Sequence, residues 1–414
     1  MRRRKIVFLV NDVMRDMGGA ERYGLELAVA LRRRGHDVTM LSRYPRDAVA
    51  RSPLPPDLPV ENLPREAGPL WFRLAQSVIN PYIPKPLRDY LGYRAVHARA
   101  LRRWLAKRRP RVVVAFESAE AIQLATAIRS LRPRPRTIAS LHTSIDRDFG
   151  LLADGFMPLN RALLGPSLER LDAVHVLLPA YARRIAEIQP FGEAIGARTV
   201  AIPGKVEPGR AFAGDPASRL VVAVGRLAPV KDHDTLIRAF AVVGRTHPGW
   251  RLSILGDGPL RAHLQSLVDS LDLAGVVTLE GQRRDVGAFL SRAAIFAMPS
   301  RHEGFSRALA EAVGAGLPSV VFADCSGNNE FVAGHEIGIL AEPADRVSSL
   351  AAAIGRLIDD GGLRSRLARN ARALAEGGAY SGERMVDEWE RLIDAVAAPG
   401  PFSAAEFARS SSAS

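Results

Sequence analysis

Cysteine is nearly absent from this 414-residue chain: Cys325 stands alone. One thiol excludes an intramolecular disulfide and fits a reducing compartment. No Cys–His pairing is suggested, so Cys325 reads as a small filler in the fold and not as a nucleophile. Long apolar runs are missing as well. The basic start MRRRK is followed only by IVFLV, too short for a signal-peptide core or a membrane span, and no other run approaches spanning length. The expectation is a cytoplasmic protein. The spacing G-x-G-x-x-G is also lacking after the first apolar run, which excludes the usual dinucleotide fingerprint there.

Acidic residues are scarce in one region only. Residues 1–111 carry 24 of the 57 Lys and Arg but 10 of the 44 Asp and Glu, so the whole excess of positive charge lies in the first quarter. Such asymmetry points to an acidic partner: an anionic membrane face, a lipid diphosphate or a nucleic acid. An Arg-rich coding bias that merely solvates a surface is the plain alternative, and it leaves the restriction to one region unexplained. With 47% hydrophobic residues, 414 residues can bury two cores of ordinary size, and two domains are expected.

Lys5–Val10, a glycine-containing loop NDVMRDMGGAER, a helix from about Glu21 to Arg34 and the run GHDVTML read as strand, loop, helix, strand. This is the opening of a Rossmann-like parallel sheet. RVVVAFE and RTIASLHTS read as further strands, with His142 just past the carboxyl end of the second, where open parallel sheets place ligands. Residues 51–92 are proline-rich and mix aromatics, aliphatics and bases. They read either as a surface excursion packed on the first domain or as an insertion touching a membrane or a lipid-linked molecule. The stretch from Pro203 to Ala217 reads as an interdomain linker.

The chain is organised around Met298–Glu311, MPSRHEGFSRALAE, which reads as a strand end, a polar turn and the start of an amphipathic helix. Glu303 lies just ahead of the helix, and Gly304 lets backbone approach a ligand. The unpaired N–H groups at the helix start form an anion site, reinforced by the helix dipole. Glu311 follows eight residues later, about two helical turns on. The pair suits an extended ligand such as a diphosphate bearing sugars on both sides. The bland alternative is a polar turn capping a core helix, with Glu311 solvated.

EGFSRALAEAVGAGLP resembles the Glu-x7-Glu signature of retaining, Leloir-type glycosyltransferases of family 4 (glycosyl transferases group 1). It departs from the usual EGFSNALLEAMACGLP most visibly at Arg307. RLVVAVGRLAPVKDHDTLIRAF likewise resembles the family's V-G-R-L-x-x-x-K-G-x-D-x-L-I-x-A-F, with Asp232 replacing a glycine. AIPGKVEP resembles its I-P-N-G segment, with Gly204 in place of Asn. Asn328, Asn329 and Glu330 stand where relatives show G-P-x-E.

The resemblance implies an α/β protein of the GT-B fold, two Rossmann-like domains facing a central cleft, with a C-terminal helix crossing back to the first. The expected boundaries are 1–202, a linker 203–217, 218–380, a crossover helix 381–398 and a disordered tail 399–414. The implied catalytic set is His142, Arg226, Lys231 and Glu303. Arg226 and Lys231 would face a leaving diphosphate, His142 would approach the donor sugar, and Glu303 would position it. Donor binding would fall to Gly18, Gly19, Gly225, Gly256, Gly258, Arg283, Gly304, Phe305, Ser306 and Glu311, the last holding the ribose.

The implied donor is a UDP- or GDP-sugar, with no metal or cofactor. Asp232-His233-Asp234 and Asp146-Arg147-Asp148 match D-x-D only superficially, and Asp232 and Asp234 read as first-turn helix carboxylates. The implied acceptor is a glycan or a lipid-linked molecule, with peripheral contact to an anionic membrane through the basic first domain. A sugar-nucleotide epimerase of the same fold and a non-catalytic binding subunit are the other classes kept open. Nucleic acid is not an expected partner, since no recognition motif accompanies the basicity.

Overall fold

A computed structural model describes residues 3–11, 18–42, 54–63, 97–151, 160–209 and 217–411. They form two compact units: Met1–Ile202 with Val386–Ser414, and Pro203–Met385. The greater part of the first glycine loop and of the 51–92 stretch lies outside the described residues.

In the first unit, strands β1 (Lys5–Val10), β2 (Asp37–Ser42), β3 (Val60–Asn62), β4 (Val112–Phe116), β5 (Arg136–Leu141), β6 (Ala173–Val176) and β7 (Thr199–Ala201) make one sheet. Its order is β3-β2-β1-β4-β5-β6-β7, with every neighbouring pair parallel. KIVFLV and VVVAF are unbroken runs of branched and aromatic residues because a parallel sheet with helices on its faces buries both sides of each central strand. Helix α1 (Gly19–Arg33) turns Ala20, Tyr23, Leu27 and Leu31 inward at three- and four-residue spacing. Two further helices, α2 (Ala98–Arg108) and α3 (Ser118–Ala127), flank β4 in sequence. Of the 51–92 stretch, the described part supplies β3, whose Glu61 accepts hydrogen bonds from Trp104 and Arg108 of α2.

The second unit repeats the plan. Strands β8 (Leu220–Val224), β9 (Arg251–Leu255), β10 (Val277–Gly281), β11 (Ile295–Met298), β12 (Ser319–Phe322) and β13 (Gly338–Ala341) pair in parallel in the order β10-β9-β8-β11-β12-β13. Helices α4 (His233–Thr246), α5 (Arg307–Gly314), α6 (Asn328–Gly334) and α7 (Arg346–Asp359) follow β8, β11, β12 and β13. In both sheets the strand order reverses beside the first strand, between β1 and β4 and between β8 and β11. Doubly wound sheets leave a ligand crevice at the carboxyl ends of the strands at such a reversal. The segment 203–209, expected as linker, is hydrogen-bonded into this unit through Val206 N to Tyr380 O (2.8 Å) and Gly209 N to Gly314 O (2.9 Å).

The C-terminal helix α8 (Gly382–Ala397) brings the chain back into the first unit from Val386 onward. Its Trp389 is fully buried and donates its indole N–H to the Tyr23 hydroxyl at 2.6 Å. Glu390 accepts from Arg34 (2.8 Å) and meets His36 Nε2 at 2.7 Å, and Arg4 pairs with Asp394 at 2.8 Å. The expected disordered tail is corrected here. Residues Ala404–Ser411 form helix α9, with Phe402 and Phe407 buried and Arg391 stacked over the Phe407 ring at 4.8 Å. Ala404 N also donates to Ala197 O at 3.0 Å. The small, polar composition that suggested disorder hides two aromatic anchors, and these suffice to dock a short helix.

Trp389→Ala is expected to destabilise the full chain by about 3–5 kcal/mol, the usual cost of emptying a buried indole site. Trp389→Phe should recover most of that loss. Urea denaturation of the three proteins measures both.

Candidate functional site

In the second unit the site residues come from two strand exits at the β8/β11 reversal. Gly225 and Arg226 follow the end of β8, and the chain passes through a 3-10 turn (Pro229–Lys231) to α4. Arg226 is exposed at this exit. β11 ends at Met298, and Ser300 to Ser306 then lead into α5. The two exits are tied together: Arg301 N donates to Val230 O at 2.9 Å, and Lys231 forms an ion pair with Glu303. Glu303 also accepts from the Ser300 hydroxyl at 2.7 Å. Thus Lys231 and Glu303, predicted as separate cation and carboxylate, are partners.

The turn Gly304–Ser306 is held from β12's side by a residue whose role the sequence did not disclose. Asn328, fully buried at the start of α6, donates its amide N–H to Gly304 O (2.7 Å) and accepts from Ser306 N (3.2 Å). The Ser306 amide, expected to face a ligand, is therefore committed to Asn328, while the Ser306 side chain caps α5 by accepting from Leu309 N. Phe305 is packed beneath, edge-on to Phe331 (5.1 Å). A Cβ at Gly204 would lie 2.6 Å from the Phe305 ring, which is why asparagine does not fit at that position here.

Gly256 and Gly258 lie against the same strand exit. Gly256 has φ +141°, and a Cβ on it would fall 1.9 Å from Gly225 O, so only glycine lets the two turns touch. Glu311 is exposed one turn along α5 and pairs with Arg307 at 3.6 Å. Such surface pairs contribute only a few tenths of a kcal/mol. Arg283 follows the outer strand β10, is ion-paired with Asp285 (3.1 Å) and stacks on Phe289 (5.0 Å). It stands apart from the β8/β11 group.

Asp232 corrects an expectation. It precedes α4 in left-handed backbone (φ +51°), accepts from Thr235 Oγ1 (2.9 Å), and pairs with Arg301 (3.0 Å) and Arg346 (3.1 Å). It stands at the N-cap position without a side-chain hydrogen bond to the helix backbone and serves as an ionic hub, not a first-turn carboxylate. Arg346 continues the network to Asp324 (2.9 Å) and Pro299 O (3.0 Å) while its guanidinium lies over the Phe322 ring. Asp234 turns the other way, to Arg238 and His263. The two carboxylates of the D-x-D look-alike thus serve different cations. Burial, then the charges of Glu303 and Asp324, push the Cys325 thiol up to about 12.

The first unit's predicted residues also lie at a sheet edge. Gly18 and Gly19 open α1, with the Glu21 carboxylate folded back over Gly18. His142 follows β5, buried among Tyr23 (4.8 Å), Phe116 (5.5 Å) and His175 (5.9 Å). Glu117, at the exit of β4, adopts φ +77° and ψ 161°, a conformation that costs on the order of 1–3 kcal/mol for a non-glycine residue. Burial, then the neighbouring Asp148, Glu21 and Glu120, hold its carboxyl well above the ordinary range, and burial raises Asp148 as well. Thr143 donates to Asp148 at 2.7 Å. Asp146 is turned away to Arg184, so this second D-x-D look-alike is also divided.

Comparison with known proteins adds a decisive observation. Residues 18–203 match the glycosyl transferase 4-like domain model, and residues 211–374 match that of glycosyl transferases group 1. Both halves of the chain are glycosyltransferase-family domains. An exopolysaccharide phosphotransferase from Streptomyces coelicolor is 33% identical over 230 residues, which are 55% of this chain and 24% of that protein. The lipopolysaccharide core biosynthesis glycosyltransferase LpsE from Rhizobium meliloti is 32% identical over 174 residues, 42% of this chain and 49% of LpsE. This glycosyltransferase-family chain spans half or less of the length of these curated relatives. HepE from Anabaena, solved with UDP and glucose, superposes with a TM-score of 0.72 at 20% identity, covering 94% of this chain and 99% of HepE. The shared architecture is GT-B.

Asn328→Leu should leave Gly304 O and Ser306 N without their buried partner and cost about 2 kcal/mol in urea denaturation. The Cys325 thiol should resist a disulfide reagent in the native protein and react at once in denaturant.

Proposed function

We propose that the protein is a retaining glycosyltransferase that moves a hexose-type sugar from a UDP- or GDP-sugar to a hydroxyl of a glycan or lipid-linked acceptor. The observation that carries this reading is the convergence of Gly225, Arg226 and Lys231 with Glu303 and the Gly304–Ser306 turn at the β8/β11 reversal of a glycosyltransferase group 1 domain.

In this reading, negative charge develops on the departing nucleoside diphosphate as the sugar's anomeric bond breaks. Arg226 and Lys231 stabilise that charge, and the dipole of α5 adds to them. Fixed cations of this kind fill the role a metal plays in other transferases. Glu303 holds Lys231 in place and faces the sugar, and Glu311 takes the ribose hydroxyls once Arg307 yields. Transfer proceeds on the face from which the diphosphate leaves, with a phosphate oxygen receiving the acceptor's proton, so that the anomeric configuration is kept.

Relatives in polysaccharide and lipopolysaccharide synthesis support an acceptor of that class. Among the described residues no helix is long and apolar enough to cross a membrane. Contact with an anionic membrane would be peripheral, through basic positions of α2 such as Arg99, Arg103 and Lys107, a helix without an acidic residue.

The test is thermal stabilisation of the full chain by UDP-, GDP-, ADP- and dTDP-sugars, beside Arg226→Ala and Glu311→Ala. A ligand at 100 times its Kd raises stability by about 2.7 kcal/mol. One nucleotide class should stabilise the wild type and lose its effect in both variants. Equal stabilisation of all three proteins would place the ligand elsewhere and sink the reading.

A further inference from the structure

A chain of hydrogen bonds runs from the backbone of Ile202 to His142 within the first unit. His175 Nε2 lies 2.8 Å from Ile202 O, its Nδ1 lies 2.8 Å from Ser140 Oγ, and Ser140 Oγ lies 2.8 Å from His142 Nε2. Ser140 and His175 are fully buried. Each step fixes the next. A carbonyl oxygen only accepts, so His175 Nε2 carries the proton. Burial, partly offset by the Ile202 bond, pushes His175 down to about 4, so at neutral pH the ring has one proton and its Nδ1 is bare. Ser140 has one hydroxyl proton and must give it to that Nδ1. Its oxygen is then an acceptor toward His142, whose Nε2 must be the N–H donor. Burial, reinforced by His175, holds the His142 imidazole well below its ordinary value. Its other nitrogen, Nδ1, is therefore a lone-pair acceptor.

The ring is also locked in orientation. Tyr23 meets it edge-on, Phe116 and His175 pack around it, and Tyr23 is itself held by the Trp389 N–H. Reversing the proton order would place N–H on His175 Nδ1 and either break the Ile202 bond or bury a charge. Both cost more than the present arrangement.

We propose that Ser140 and His175 are positioning residues that set His142 in its Nε2–H tautomer, so that it meets its ligand through an unprotonated Nδ1. A bare imidazole nitrogen accepts from a hydroxyl and repels a carboxylate. The inference rests on the reading that His142 faces the sugar, and it specifies the class: a sugar with a neutral hydroxyl at this point, not a uronate.

Long-range proton–nitrogen NMR of the full chain labelled with 15N-histidine reads the tautomers at pH 7. His142 and His175 should both be neutral with the proton on Nε2. A proton on His142 Nδ1, or an imidazolium, overturns the proposal whatever the protein binds. Ser140→Ala should release His142 into a mixture of tautomers and weaken binding of a neutral nucleotide sugar about ten-fold, the worth of one hydrogen bond. An unchanged His142 spectrum in a folded Ser140→Ala protein also overturns it. If that variant does not fold, the wild-type spectrum still decides.

UDP-glucose is then compared with UDP-glucuronate, and GDP-mannose with GDP-mannuronate. The neutral sugar of the pair that binds should be preferred at least about ten-fold. Equal binding of the uronate defeats the selection while leaving the tautomers standing. Failure of all four to bind would defeat the donor reading, and the selection with it, independently of the ring state.

Discussion

Strands β8 and β11 run side by side but continue to helices on opposite faces of their sheet. The crevice this leaves at their carboxyl ends is the constraint on which the rest of the second unit depends. Two loops must meet there without a ladder to join them. Arg301 N on Val230 O, and the Lys231–Glu303 ion pair, make that join. From behind, Asn328 pins the Gly304–Ser306 turn and Arg346 pins the β11 exit through Pro299 O. The site is thus a pair of loops clamped from several directions, which is what holding a charged, extended ligand requires.

Charge in this region is arranged in pairs. Lys231 faces Glu303, Asp232 faces Arg301 and Arg346, and Arg307 faces Glu311. An incoming diphosphate would compete with carboxylates for cations already in position. The cations would lose little freedom on binding it, because their ion pairs order them beforehand. The buried Asp232 and the largely covered Arg346 serve the scaffold, and the more exposed Arg307 and Glu311 would exchange their pairing for ligand contacts at small cost.

Much of this was legible in the sequence. The apolar runs disclosed the parallel strands, and the resemblance carried by VGRLAPVK and EGFSRALAE implied that both segments serve one site. What was hidden lies in contacts between elements distant in sequence. Asn328 reaches its partners across 22 and 24 residues, and Ser140 meets His175 across 35. No local pattern encodes such pairings. The docked helix α9 escapes a reading of composition, which averages over Phe402 and Phe407, and the role of Asp232 is set by Arg301 and Arg346, which are distant in sequence.

Trp389 completes the core of a unit whose other residues come mostly from the first half of the chain. During synthesis the first seven strands leave the ribosome long before that indole does. The second unit, continuous from Pro203 to Met385, has all of its own strands available earlier. Until that indole is made, Tyr23 and His175 lack the ring that packs against them. Domains generally fold in the order they emerge; here the chain of the first unit is completed after that of the second, because α8 from Val386 onward and α9 belong to it.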